Sequence, residues 1–464
     1  MFRNRPVLLA ALAAILFATA ACGGDEGGKG ESPAVTEGSV LRVPQDVETI
    51  QAAVDAAEPG DLVLVDEGTY HEAVDVTTPD ITIRGLDRNK VILDGEFELE
   101  NGIRVLDTDG VVVENMTARN YLSNGFFWTG SDRYHGSYLT AYRNGDYGIY
   151  AFDAYHGQID HSYASGSPDA GFYIGECFRC DALIDQVVSE HNGLGYSGTN
   201  SGGDLYIVRS TFRNNRAGIV PNSGSYELCY PGRQNTIVGN TVHDNNYLDG
   251  PGIDVSLLAQ GNGILVAGSI DNVIERNLVF DHERTGIGMV PFPEDDANDV
   301  APPESELDVP CEETRDDEPP AASPGLVLWN ATGNQVVGNV VSGSGLADLA
   351  SATIEDPAKG ITTESLDNCF ADNTFSSSAP AAIEELSPCD GEGSGGDFSL
   401  GALDLVTLVA SQPPAPEKDA WRITPVPPAQ ETMPDPEGTP AERFDGPEIP
   451  DIDAIEVPVR PAGS

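Results

Sequence analysis

A glycine followed by an apolar or aromatic residue returns every 23 or 24 residues through the middle of this chain, and no other feature limits its fold so sharply. It opens "GIRVLD" at Gly102, "GFFWTG" at Gly125, "GIYAFD" at Gly148, "GFYIGE" at Gly171, "GYSGTN" at Gly195 and "GIVPNS" at Gly218. A second strand-like run follows each, as in "SYLTAYRN" and "LYIVRSTFRNN", and the pattern resumes at Gly263, Gly286, Gly325 and Gly360. A unit of two or three short strands cannot bury a core alone, so the units must stack. Stacking predicts an all-β chain wound as a right-handed parallel β-helix, a single-stranded solenoid of about 23 residues per coil. Asn120, Asn144, Asn192 and Asn215 close their second runs similarly, which predicts a stacked asparagine ladder.

The segment "ETIQAAVDAAEPGDLVLVDEGTYHEAVDVTTPDITIRGLDRNKVILDG" resembles the opening of the pectate-lyase-like superfamily. The resemblance implies a short capping helix over Ile50 to Ala57, a turn at Pro59 to Asp61, and strands beyond it. It concerns the fold and does not choose a reaction. From Asn144 to Val279, "YGIYAFD", "ASGSPDAGFYIGEC", "NTVHDNNYLD" and "GNGILVAG" resemble a group of bacterial parallel β-helix repeat proteins, which has no settled reaction to carry over. The Asn-Thr-Asp, Asp-Asp and Gly-His-Gly motifs of polygalacturonase-like hydrolases do not stand here in that form, and "DTDG" at Asp107 to Gly110 is a partial echo of the first. The "DPHD" stretch of alginate epimerases is not reproduced by "SPDAG" or "DAYH". Pectate lyases pair calcium carboxylates with an arginine base, which Arg179 beside Asp153 and Glu176 resembles.

Around the repeat, the ends read differently. Arg3 and Arg5, an apolar run from Val7 to Phe17 and "ATAAC" ending at Cys22 read as a signal peptide over 1–21. Cys22 resembles the lipidated cysteine of bacterial lipoproteins, although Thr19 stands where that motif has an aliphatic residue, and plain secretion is the competing reading. Both readings make the protein extracytoplasmic, and the first anchors it to a membrane at the bacterial cell surface or in the periplasm. A flexible tether over 22–40 leads to the β-helix domain, 41–395, which an acidic, proline-rich loop interrupts at 291–324. Residues 396–464 are a closing segment around "FSLGALDLVTLVA" and a proline-rich acidic tail. Beyond Cys22, the even set Cys177, Cys180, Cys229, Cys311, Cys369 and Cys389 predicts disulfides, with connectivity open.

Asp and Glu number 75 against 24 Lys and Arg, a net charge of −51. Nucleic acid and anionic membrane surfaces are poor partners, because binding to both relies on cationic side chains that neutralise phosphate. Polyuronates are repelled too, so the charge favours a neutral glycan or a bridging Ca²⁺. No oligomeric state follows from the sequence.

Equal offsets from the opening glycine should lie about 4.8 Å apart on neighbouring coils. Offset +1 holds Ile103, Phe126, Ile149, Phe172, Tyr196 and Ile219, the core. Offset +2 faces outward by strand alternation and holds Arg104, Phe127, Tyr150, Tyr173, Ser197 and Val220. Three successive outward rings, Phe127, Tyr150 and Tyr173, form a ladder on which a sugar stacks or over which a loop such as "YLDGPGIDVSLLAQ" folds. Offset +5 brings Asp153 and Glu176 together, to share a cation or to raise one pKa. Offset −2 stacks Asp146 and Asp169, and Asp169 in "SPDAG" reads first as a turn residue bonding local amides.

Among His135, His156, His161 and His191, His156 is the candidate general base, with Asp153 or Glu176 as the acid. Stacking of Tyr134-His135 and Tyr155-His156 as turn residues explains the same pattern. The candidate site is therefore His156, Asp153 and Glu176 for chemistry, Phe127, Tyr150, Tyr173 and Arg179 for substrate, and Asp153 with Glu176 for a metal. One function fits these residues as a polysaccharide-binding protein with lyase or glycoside-hydrolase chemistry. The other is a non-catalytic rod for adhesion, envelope organisation or metal handling.

Overall fold

The structure, a computed structural model, describes residues 38–294, 311, 327–353, 366–390, 403–441 and 443–462. The signal peptide, Cys22, most of the tether, most of the acidic loop and the repeat starts at Gly325 and Gly360 lie outside the described residues. What is described is a right-handed parallel β-helix. Each coil contributes three strands in turn, as in Ile103–Leu106, Val112–Glu114 and Thr117–Arg119. Among the described residues they build three long parallel sheets. Sheet 1 contains Val112–Glu114, His135–Ser137 and Gln158–Asp160; sheet 2 contains Ile103–Leu106, Phe126–Asp132, Ile149–Tyr155 and Ala170–Gly175; sheet 3 contains Thr117–Arg119 and Thr140–Tyr142.

Register follows the glycine count. Ile103 pairs with Phe126, Phe126 with Ile149, Ile149 with Phe172, Phe172 with Tyr196 and Tyr196 with Ile219, all of them buried. The opening glycines recur because neighbouring coils approach too closely there for a side chain. A Cβ on Gly148 would lie 2.6 Å from the Gly171 carbonyl oxygen and 2.8 Å from the Ala164 Cβ. Inside the stack Asn192 donates to Asn215 at 2.9 and 3.1 Å, and Asn215 donates to Asn245 at 3.0 Å. Asn144 accepts from the Tyr121 amide at 3.2 Å in the same column. Asn120 leaves the predicted ladder: it occupies a left-handed corner, φ 60°, and donates to Asp94 at 2.8 Å. A further ladder, Asn240, Asn277, Asn339 and Asn373, stabilises the later coils, where inserted loops hide the count.

Both ends of the stack are covered. Helix α1, Ile50–Ala56, starts at the capping hydroxyl of Thr49 and buries Ile50, Ala53 and Val54. At the other end the short helix Ile383–Leu386 buries Ile383, and its Glu384 accepts from the last ladder asparagine, Asn373, at 2.9 Å. Within the segment read as the closing element, a helix, Leu405–Ala410, forms against sheet 2, where Leu403 and Leu405 pack on Ala347, Ala350 and Ala379. The proline-rich tail is extended and lies along the rod. Its carbonyls accept from the buried Arg84 and Arg88 and from Arg143 and Arg276, and Ile455 packs on Leu183, Val208 and Val238 of sheet 1. The tail thereby covers sheet 1 and its corner with sheet 3, and other segments decorate sheet 2. Cys177 bridges Cys180, Cys229 bridges Cys311 and Cys369 bridges Cys389, so the acidic loop is tied at Cys311.

Candidate functional site

Sheet 2 turns a run of aromatic rings outward. Phe127 and Tyr150 pair in register, as do Tyr150 and Tyr173, and each pair of ring centroids is 4.8 Å apart. Tyr147, one residue before the Gly148 of the repeat, joins the stack 4.3 Å from Tyr150 and 4.9 Å from Tyr173. Phe127, Tyr147 and Tyr150 are half-buried, but Tyr173 is only 1% exposed. What covers it is the loop over 223–232 and not "YLDGPGIDVSLLAQ": Tyr173 donates its hydroxyl to Glu227 at 2.6 Å. The latter segment contributes helix α2, Asp254–Leu258, which packs further along the same flank with Ala217, Val220 and Leu265. Both segments come from one coil, where the glycine spacing from Gly218 to Gly263 grows to 45 residues.

Carboxyl groups surround these rings. Asp146 and Asp169 stack at successive coils, joined by the Asp169 amide donating to the Asp146 carbonyl at 3.2 Å. The side chain of Asp169 reaches a ring and not the local amides expected of a turn residue: the Tyr147 hydroxyl donates to it at 2.6 Å. Burial pushes Asp146 up to about 6. Burial also pushes Asp169 up to about 7, against the Tyr147 hydrogen bond and with help from the Asp146 charge.

Asp153 and Glu176 do meet on neighbouring coils. They belong to a corner column, Asp107, Gly130, Asp153, Glu176 and Asn200, whose φ values all fall between 46° and 58°. Aspartate, asparagine and glycine tolerate that left-handed conformation, so most of the column is accounted for by backbone geometry. Glu176 is the member that geometry does not explain. It is 2% exposed, its Oε2 has no hydrogen-bond partner among the described residues, and burial pushes it up to about 7, with the Leu228 amide opposing and Asp153 reinforcing the shift. Burial holds Glu227 well above the ordinary range too, against the Tyr173 hydrogen bond and with help from the Glu176 and Asp169 charges. Asp153 is hydrogen-bonded with Tyr155.

Other expected members stand elsewhere. His156 is a corner residue, φ 48°, whose ring meets Asp132 at 2.6 Å and Asp181 at 3.5 Å. Arg179 pairs with Asp204 and lies 3.8 Å from Asp181. His135 and His161 both bond Asp160 on sheet 1, at 2.7 and 2.8 Å, and the ring of Phe444 from the tail stacks on His135 at 4.7 Å. Burial raises Asp160, but these two histidines outweigh it and hold the carboxyl well below its usual range. His191 meets Tyr247 edge-on at 5.2 Å. Among the described residues no group of three or more His, Cys, Asp or Glu is arranged to hold a metal ion, so Asp153 and Glu176 alone do not fit a resident Ca²⁺.

Residues 101–292 match the family model of the right handed beta helix region. No curated protein matches the chain. Among solved structures, the A-module of a mannuronan C-5 epimerase from Azotobacter vinelandii is similar at 14% identity and a TM-score of 0.43, over 70% of this chain and 90% of that one. A pectate lyase is similar at 13% identity and a TM-score of 0.42, over 87% and 91%. An alginate lyase from a Paenibacillus is similar at 14% identity and a TM-score of 0.37, over 74% and 96%.

Tyr147 and Glu227 escaped the sequence reading. Tyr147 occupies the offset before the glycine, where the neighbouring coils have Asn124 and Ala170, so no aromatic column announces it. Glu227 lies in the long coil, and its only signal is the 45-residue spacing.

Proposed function

We propose that this protein binds a polysaccharide along the outward face of sheet 2 and processes it with acid–base chemistry from Asp146 and Asp169. The observation that carries the reading is the half-buried ring stack of Phe127, Tyr150 and Tyr147 lying against two carboxyl groups whose pKa values are pushed to about 6 and about 7. Sugar rings stack on aromatic faces, and a carboxyl near 7 keeps its proton where an ordinary one has lost it. In this reading Asp169 is the general acid, Asp146 the base, and Tyr147 positions Asp169 through its hydrogen bond. Glu176 lies beneath the 223–232 loop and supports the site from behind. The net charge of −51 favours a glycan of low charge, and hydrolysis is then the simplest reaction class, with elimination from a uronate the alternative. No step here requires a metal.

The same proposal sets the protein outside the cytoplasm, tethered to a membrane through a lipidated Cys22. That rests on Arg3, Arg5, the Val7–Phe17 run and "ATAAC", and on six cysteines paired as befits an oxidising compartment. A non-catalytic glycan-binding rod is the second reading, favoured by the loop that seals Tyr173 and Glu176.

The test is a panel of neutral and acidic polysaccharides, with and without Ca²⁺, scored for binding, reducing ends and unsaturated ends. Binding that Phe127→Ala with Tyr150→Ala abolishes, and turnover that Asp169→Asn abolishes, support the proposal. Binding without turnover selects the rod, and turnover untouched by these substitutions removes the site assignment.

A further inference from the structure

Four coils beyond Tyr150, the same outward face of sheet 2 carries an apolar cleft of about 590 Å³. Its lining includes Leu265 and Val290 of the sheet, Leu258 of α2, Phe292, and Leu405 of the helix Leu405–Ala410. That volume lies within the ~300–1,000 Å³ typical of small-molecule sites, and walls supplied by separate helices make it a cleft and not a bare face. A sugar does not suit it. Its lining is mostly apolar, and two of its polar side chains pair with each other, the Thr285 hydroxyl donating to Asn262 at 2.7 Å.

One charged side chain, Arg284, lines the cleft. Among the described residues its guanidinium makes one hydrogen bond, Nη1 to the Leu258 carbonyl at 3.3 Å. A guanidinium carries five donors, so most of them remain for a ligand, and its planar fork matches a carboxylate. An apolar lining with one cation among its described residues fits an amphiphile with an anionic head.

We propose that this cleft binds a long acyl chain, with the anionic group at its head held by Arg284. Burial of the chain supplies most of the affinity, and the arginine reads the head. The proposal is independent of the glycan reading, since neither the rings nor the acids of that site take part. The occupant is a free fatty acid, because the net charge of −51 opposes docking on an anionic membrane, and a membrane lipid is an outcome the test separates.

The test uses the purified full chain titrated with oleate, with oleyl alcohol and with vesicles of anionic phospholipid, alongside Arg284→Gln and Leu265→Glu variants checked for native melting. The expected result is saturable oleate binding that Leu265→Glu abolishes and that Arg284→Gln weakens about tenfold, while oleyl alcohol binds the Arg284→Gln variant as it binds the wild type. Vesicle binding without oleate binding, sensitive to both substitutions, assigns the membrane lipid as the source. No saturable binding of either, or equal losses for acid and alcohol in Arg284→Gln, overturns the proposal.

Discussion

The Tyr147 hydroxyl donates to Asp169 at 2.6 Å, linking one coil of the rod to the next beside an outward stack of aromatic rings. If that bond positions a general acid, Tyr147→Phe should lower turnover of a bound glycan about tenfold and Asp169→Asn about a hundredfold or more, with binding preserved in both. A pH–rate profile separates positioning from mere packing. Tyr147→Phe should move the basic limb upward, because the hydroxyl is a contributor that holds Asp169 down.

Glu176 makes a stability prediction that needs no substrate. Its folded pKa of about 7 exceeds its ordinary value of 4.5, so the folded state binds its proton more tightly than the unfolded chain. The resulting stabilisation is complete below about pH 4 and is lost as pH rises through about 7. Glu176→Gln, which mimics the protonated acid, should exceed the wild type by less than about 1 kcal/mol at pH 5 and by roughly 3 kcal/mol at pH 8. Denaturant titrations at the two pH values measure this. The comparison with the variant cancels His161, whose raised pKa acts in the same direction, and Asp160, whose contribution disappears only at more acidic pH.

Gly148→Ala tests the reason for the repeat. Its Cβ would meet the Gly171 carbonyl at 2.6 Å, and neither backbone can withdraw without breaking a parallel pairing. A loss of several kcal/mol, or failure to fold, is expected in urea titration.

The tail is predicted to be a docked strap. Trp421 is buried against Phe97, with ring centroids 5.4 Å apart, next to Gly145. Trp421→Ala should raise the rate of limited proteolysis within 412–462 while leaving the circular dichroism of the rod unchanged.

These predictions also show how far the sequence reached. Glycine spacing was enough to align Ile103, Phe126, Ile149 and Phe172 in one core column, because a coil of constant length converts sequence offset into spatial register. By the same rule Phe127, Tyr150 and Tyr173 were legible as a ladder and Asp153 and Glu176 as neighbours. The rule does not extend to inserted loops. Whether Tyr173 is open depends on Glu227, which reaches it from another coil. Nor does the rule foresee which polar side chains turn toward one another. His156 looked close to Asp153, but a left-handed corner aims its ring at Asp132 and Asp181. Asp169 looked like a turn residue because its partner, Tyr147, occupies an offset with no aromatic company. Asn120 missed the ladder by one residue, since corner and ladder positions are adjacent along the chain and differ only in φ.

The most direct measurement is turnover of whichever polysaccharide the protein binds, compared between the wild type and Asp146→Asn with Asp169→Asn at pH 6. The double variant should bind the glycan with wild-type affinity and release no new ends. Wild-type turnover by the double variant, or a glycan that binds with Phe127 and Tyr150 both replaced by alanine, would contradict the site assignment.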